Sequence, residues 1–88
     1  MKLKDGFLNR KLENDNYLIP DSQIVKNFRG VVRNNETAAF IIDCLREQTT
    51  EENIIDAMCE KYDASYEKIS EGVRFVLDGL RSIDALEE

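Results

Sequence analysis

Eighty-eight residues, 42% apolar and 34% charged with a net charge of −6, describe a folded chain with one thin core rather than a disordered tail or a multidomain protein. No apolar run approaches the roughly 18–20 residues that span a bilayer, and the opening Met-Lys-Leu-Lys-Asp-Gly-Phe lacks the apolar centre of a secretion signal, so a single cytoplasmic domain over residues 1–88 is expected. With no histidine in the chain, imidazole-based catalysis and most zinc sites are excluded, and neither an enzymatic activity nor a cofactor is expected.

The charge is unevenly spread. Residues 1–33 hold seven Lys/Arg against four Asp/Glu, whereas residues 34–88 hold five against fourteen. The second part would repel a polyphosphate backbone.

In chain order, residues 7–12 and 17–19 read as two strands, separated by Glu13-Asn14-Asp15-Asn16, residue types that favour tight turns. Pro20 ends the second strand because it has no N–H to give to a ladder. A loop over residues 21–29 leads to a short third strand at residues 30–33. Asn35 can cap a first helix, with Glu36 at the positive end of its dipole and Ala38, Ile41, Ile42 and Leu45 at helical spacing. Thr49 and Glu52 have capping-box spacing at the head of a second helix, whose apolar stripe is Ile54, Ile55, Met58 and Tyr62. Ser65 can cap a third helix over residues 66–82, with Ile69, Val73, Val76, Leu77, Leu80 and Ile83 on one side.

The order β-β-β-α-α-α predicts an α+β fold: a three-stranded antiparallel sheet followed by a three-helix bundle, winged-helix-like with its sheet placed first. The second and third helices, joined by Asp63-Ala64, have the spacing of a helix-turn-helix. Cys44 and Cys59 are the only cysteines; they read either as reduced small hydrophobes or as a redox pair.

Two features stand outside the core pattern. At 100° per residue, Phe75 projects at about 240° from Ile69, beside Gly72, Gly79 and Lys68 at about 300°, 280° and 260°. Glycine inside a helix costs about 1 kcal/mol relative to alanine, so two of them seven residues apart need a use. The strip is either packed on the sheet or the first helix, or it is a groove in which another backbone lies against the glycines with Phe75 as an apolar wall. The second feature is the third strand, whose edge is either blunted by Arg29 and Arg33 or open to strand addition by a peptide. Ordering six peptide residues costs on the order of 6–12 kcal/mol, while each strand hydrogen bond returns only about 1 kcal/mol. Such a guest would need one or two large apolar anchors, each worth roughly 1.5–3 kcal/mol.

The segment Asn35-Glu36-Thr37-Ala38-Ala39-Phe40, then Thr49-Thr50-Glu51-Glu52, Tyr62-Asp63, Val73-Arg74-Phe75-Val76 and Leu80 resembles the PqqD family (coenzyme PQQ synthesis protein D). Arg10, Tyr17-Leu18-Ile19-Pro20 and Gly30 are similar to the same pattern, so the resemblance covers nearly the whole chain. Ala38 stands where glycine is common, Asn34 where an apolar residue often ends the strand, Gly72 where an acidic residue is common, and Asp84-Ala85-Leu86 where the family usually has glycine-leucine. The resemblance implies a non-catalytic peptide chaperone, a recognition element for ribosomally made, post-translationally modified peptides. It would bind a precursor's leader as a strand between the third strand and third helix, and present it to a radical S-adenosylmethionine enzyme, a cyclase or a leader protease. The site expected on this footing is Arg29, Gly30, Val31, Val32, Arg33 and Asn34 on the strand, with Lys68, Gly72, Phe75, Val76 and Gly79 on the helix.

Two other readings compete. A winged-helix DNA binder would need cations on its groove-entering helix, but the second helix sets Glu51, Glu52, Asp56 and Glu60 against Lys61 alone, so neither nucleic acid nor membrane is expected as a partner. A generic protein-interaction module, binding a folded partner, is the second alternative.

Overall fold

A computed structural model describes residues 1–21, 23, 25 and 32–88. Strands β1 (Lys2–Leu3), β2 (Phe7–Leu12), β3 (Asp15–Pro20) and β4 (Val32–Asn34) precede helices α1 (Glu36–Cys44), α2 (Glu51–Lys61) and α3 (Tyr66–Ser82), and β5 (Leu86–Glu87) follows. The main sheet is antiparallel in the order β2-β3-β4, and three helices follow it, giving the expected α+β fold. β1 and β5 form a separate antiparallel ribbon, with Lys2 opposite Glu87 and Leu3 opposite Leu86.

The hairpin is tighter than its composition predicts. Leu12 pairs with Asp15, so Asp15 and Asn16 belong to the strand and only Glu13 and Asn14 turn. Glu13 takes a left-handed φ of 58°, a conformation that costs an L-residue about 1–2 kcal/mol. The expected second strand, residues 17–19, is therefore the middle of a six-residue strand. The third strand ends one residue later than expected, at Asn34, while Gly30 and Val31 lie outside the described residues.

The helices begin at hydroxyl and amide caps. The Asn35 side chain accepts from the Ala38 N–H at 2.7 Å and that of Ser65 from the Lys68 N–H at 3.2 Å, both as expected. The cap of α2 is Thr50 rather than Thr49: the Thr50 hydroxyl accepts from the Asn53 N–H at 3.1 Å. Thr49 is committed elsewhere, its N–H bonding to the Met1 carbonyl at 2.9 Å, so the chain becomes helical one residue later.

α3 ends in a left-handed cap. The Asp84 N–H bonds to the Arg81 carbonyl and the Ala85 N–H to the Leu80 carbonyl, with Asp84 at φ 57°. Asp84 stands there in the role that glycine usually fills, and its carboxylate holds Lys4 at 2.7 Å.

Leu18, Ile41, Ile42, Leu45, Ile54, Val73 and Leu77 are the fully buried centre of the core. One face of the sheet packs on α1, and the Asn9 amide donates to the Ala39 carbonyl and to Asp43, both at 3.2 Å, anchoring β2 along that helix. Main-chain bonds from the Leu3 N–H to the Leu45 carbonyl and from the Lys4 N–H to the Ala85 carbonyl, each 2.8 Å, tie the end of α1 and the end of α3 to the same N-terminal strand.

Candidate functional site

β4 bonds to β3 alone, so its other side carries main-chain groups with no strand partner among the described residues. β4 and α3 line a cleft of about 530 Å³. Its floor is apolar and comes from three elements: Leu18 of β3, Ile42 of α1 and Leu80 of α3. Val32, Arg33 and Asn34 form one wall, and the first turn of α1, at Thr37 and Ala38, closes the floor beneath them.

On the α3 wall the glycine strip is left unpacked. Gly72 and Gly79 both line the cleft, and a Cβ built on either would meet nothing within 4 Å. Neither is packed on the sheet or on α1. Phe75, between them on the same wall, is 80% exposed, a ring that no described residue covers. An exposed phenyl ring beside two side-chain-free turns leaves room for another backbone and an apolar surface for it to lie against.

Seven of the expected site residues meet in this cleft: Val32, Arg33, Asn34, Gly72, Phe75, Val76 and Gly79. Lys68 does not line it. Its wheel angle matches that of Phe75, but it stands four residues before Gly72, about 6 Å along the axis. Arg29, Gly30 and Val31 lie outside the described residues. Val76 and Ile83, assigned by periodicity to the core stripe, are only half-buried, and both line the cleft. Sequence reasoning missed Leu18, Ile42 and Leu80 as cleft residues because their spacing marks them as core, which they also are.

Among the described residues Arg33 is the one cation on the lining, and its guanidinium is held by Asp15 at 2.7 Å. The amide nitrogen of Asn34 is buried without a hydrogen-bond partner among the described residues.

A second concavity, about 570 Å³, lies between the start of α2 and the first half of α3. It is somewhat larger, but Glu51, Glu52, Glu67 and Glu71 wall it, and its one cation, Arg74, already faces Glu51 at 3.9 Å. Four carboxylates repel nucleic acid and leave little apolar surface for a strand, so the β4–α3 cleft is the better candidate. Among the described residues no group of His, Cys, Asp or Glu could hold a metal ion, and no helix is long and apolar enough to cross a membrane.

Cys44 is half-buried in α1, and Cys59 is exposed on α2; the two are not bonded to each other. Burial, and then the carboxylate of Asp43 beside it, pushes the Cys44 thiol above its ordinary pKa, the reverse of what an activated thiolate requires.

By sequence, the family described as Coenzyme PQQ synthesis protein D (PqqD) matches residues 21–86. No curated protein matches the chain. Among solved structures, one described as "TbiB1 in Complex with the TbiA(beta) Leader Peptide" superposes with a TM-score of 0.78 at 21% identity, over 99% of this chain and 95% of the other.

Proposed function

The chain belongs to the PqqD family, and on that premise we propose that it is a non-catalytic recognition element for the leader of a ribosomally made precursor peptide. The leader lies extended along β4, in the cleft facing α3, and continues the sheet by one strand. Main-chain bonds to β4 supply general attraction; the apolar floor and Phe75 supply selectivity for spaced large apolar side chains. The protein holds the precursor for a modifying enzyme, such as a radical S-adenosylmethionine enzyme, a cyclase or a leader protease, and performs no chemistry itself.

One observation carries this reading: an open cleft along a strand that, among the described residues, bonds on one side only, and whose far wall presents two glycines with vacant space beside them. That TbiB1, similar in fold, was solved with a leader peptide supports a peptide as the occupant. Backbone pairing alone would not hold it, since ordering each residue costs about 1–2 kcal/mol and each hydrogen bond returns about 1. The apolar floor answers that deficit.

The test is titration of the isotope-labelled chain with the synthetic leader of a precursor peptide encoded beside it. Amides of β4 and of residues 72–79 are expected to shift and saturate together. Shifts confined to the acidic concavity between α2 and α3, or none at saturating leader, would overturn the proposal.

A further inference from the structure

The outward face of the β2-β3-β4 sheet carries a pattern that peptide capture does not use. Strand alternation turns Phe7 and Asn9 toward the core and α1, and so turns Leu8, Arg10 and Leu12 the other way. The register then sets Arg10, Tyr17 and Arg33 in one row across the three strands. Leu8 faces Ile19 on one flank of that row, and Leu12 faces Asp15 on the other. Leu8 and Leu12 are 52% and 53% exposed, two of the four large apolar side chains that are exposed in the described structure. Arg33 has its carboxylate in Asp15, whereas Arg10 makes no ion pair with any described residue.

We infer that this sheet face docks a folded protein whose own surface sets carboxylates around an apolar centre, and that this protein is the enzyme to which a bound leader is handed. The face carries one cation without a carboxylate among the described residues, Arg10, set among apolar side chains, on a chain whose net charge is −6 and whose α2 and start of α3 are acidic. It therefore favours an anionic surface more than the acidic remainder of the chain does. Two copies of this chain fit it poorly, because packing face to face offers each Arg10 only Asp15, a carboxylate that Arg33 already holds. Nucleic acid fits poorly as well: the one aromatic ring of the row, Tyr17, is half-buried, and its neighbours are leucines rather than stacking platforms.

The inference rests on the strand-addition reading in one respect. A guest strand beside β4 extends this same sheet, so its outward side chains fall in line with Arg10, Tyr17 and Arg33. The docked enzyme then meets carrier and cargo as one surface, and the loaded form binds more tightly than the empty one.

The experiment compares Leu8→Ser/Leu12→Ser, Arg10→Glu and Arg10→Lys with the unaltered chain. Calorimetry measures affinity for the synthetic leader and, with leader bound, for the purified modifying enzyme encoded with the same precursor. The first two variants are expected to lose at least tenfold in enzyme affinity while leader affinity stays within twofold, and Arg10→Lys is expected to stay near the unaltered chain. Unchanged enzyme affinity in both would overturn the inference, as would parallel loss of leader affinity, self-association through Leu8 and Leu12 in sedimentation, or Arg10-dependent retention of single-stranded RNA in place of the enzyme. If the unaltered chain ignores the leader but its enzyme affinity still depends on Arg10 and Leu8, the cleft proposal fails and the docking face stands.

Discussion

Leu18 and Val32 stand opposite each other in the β3–β4 ladder, the first wholly buried and the second half-exposed above the same cleft. The core thus ends between two neighbouring strands: helices seal β3, and β4 is left with apolar surface still in water. The contrast separates residues that hold the fold from residues proposed to meet a guest.

Phe75 and Leu77, two positions apart on α3, should therefore respond in opposite ways to truncation. Phe75→Ala is expected to weaken leader binding by roughly 1.5–3 kcal/mol, the value of burying that side chain, while leaving the urea midpoint almost unchanged, because the ring is 80% exposed in the free protein. Leu77→Ala should lower stability by about 2–5 kcal/mol, as should Leu80→Ala, which removes floor and core together. Paired unfolding and binding curves check both; a collapse of stability in Phe75→Ala with intact binding would make that ring a core residue.

At Gly72 and Gly79 the free and bound states should disagree. Alanine clashes with nothing at either position, so each substitution should raise the stability of the unliganded protein by up to about 1 kcal/mol. The same methyl groups stand where the guest backbone is proposed to run and should weaken it. A variant both more stable and equally avid would show that the glycines serve no guest.

Glu13→Asn is expected to stabilise the hairpin by a few tenths to about 1 kcal/mol, because asparagine tolerates the left-handed φ of 58° better than glutamate. The measurement is the shift in urea midpoint at constant slope. No change would mean that the turn relaxes in solution.

The raised pKa of Cys44 has a pH signature. Below the ordinary thiol range both folded and unfolded chains keep the proton, and the fold is unaffected; as pH rises through that range the unfolded chain loses it first, so stability declines toward alkaline pH. Reaction with a thiol reagent at pH 8 should accordingly label exposed Cys59 first and Cys44 slowly. Cys44→Ala should flatten the alkaline decline, and equal labelling rates would contradict the burial.

How much of this could be read in the residues depended on the length of the pattern. α3 was legible from end to end: seventeen residues give a stripe, a serine cap and an aromatic that breaks the stripe. β1 and β5 were not, since two residues each carry no period, and they exist because Leu3 and Leu86 come together across the whole chain. The cap of α2 moved from Thr49 to Thr50 for a similar reason, a long-range bond to Met1 that no local rule contains. At the site, the walls were visible as a glycine strip and an edge strand. The floor was not, because Leu18, Ile42 and Leu80 converge only when three elements pack. Lys68 shows the converse limit: a wheel gives direction around an axis and says nothing about distance along it.

The two bonds from Leu3 to Leu45 and from Lys4 to Ala85 make the N-terminal strand a spacer bar between the far ends of α1 and α3. Both helices contribute to the cleft, so its gauge is dimensioned by peptide geometry as well as by how tightly side chains settle. A slot held to size in this way would spare the proposed leader the work of prying it open, and would leave the stiffness of the arriving chain to govern how firmly it seats.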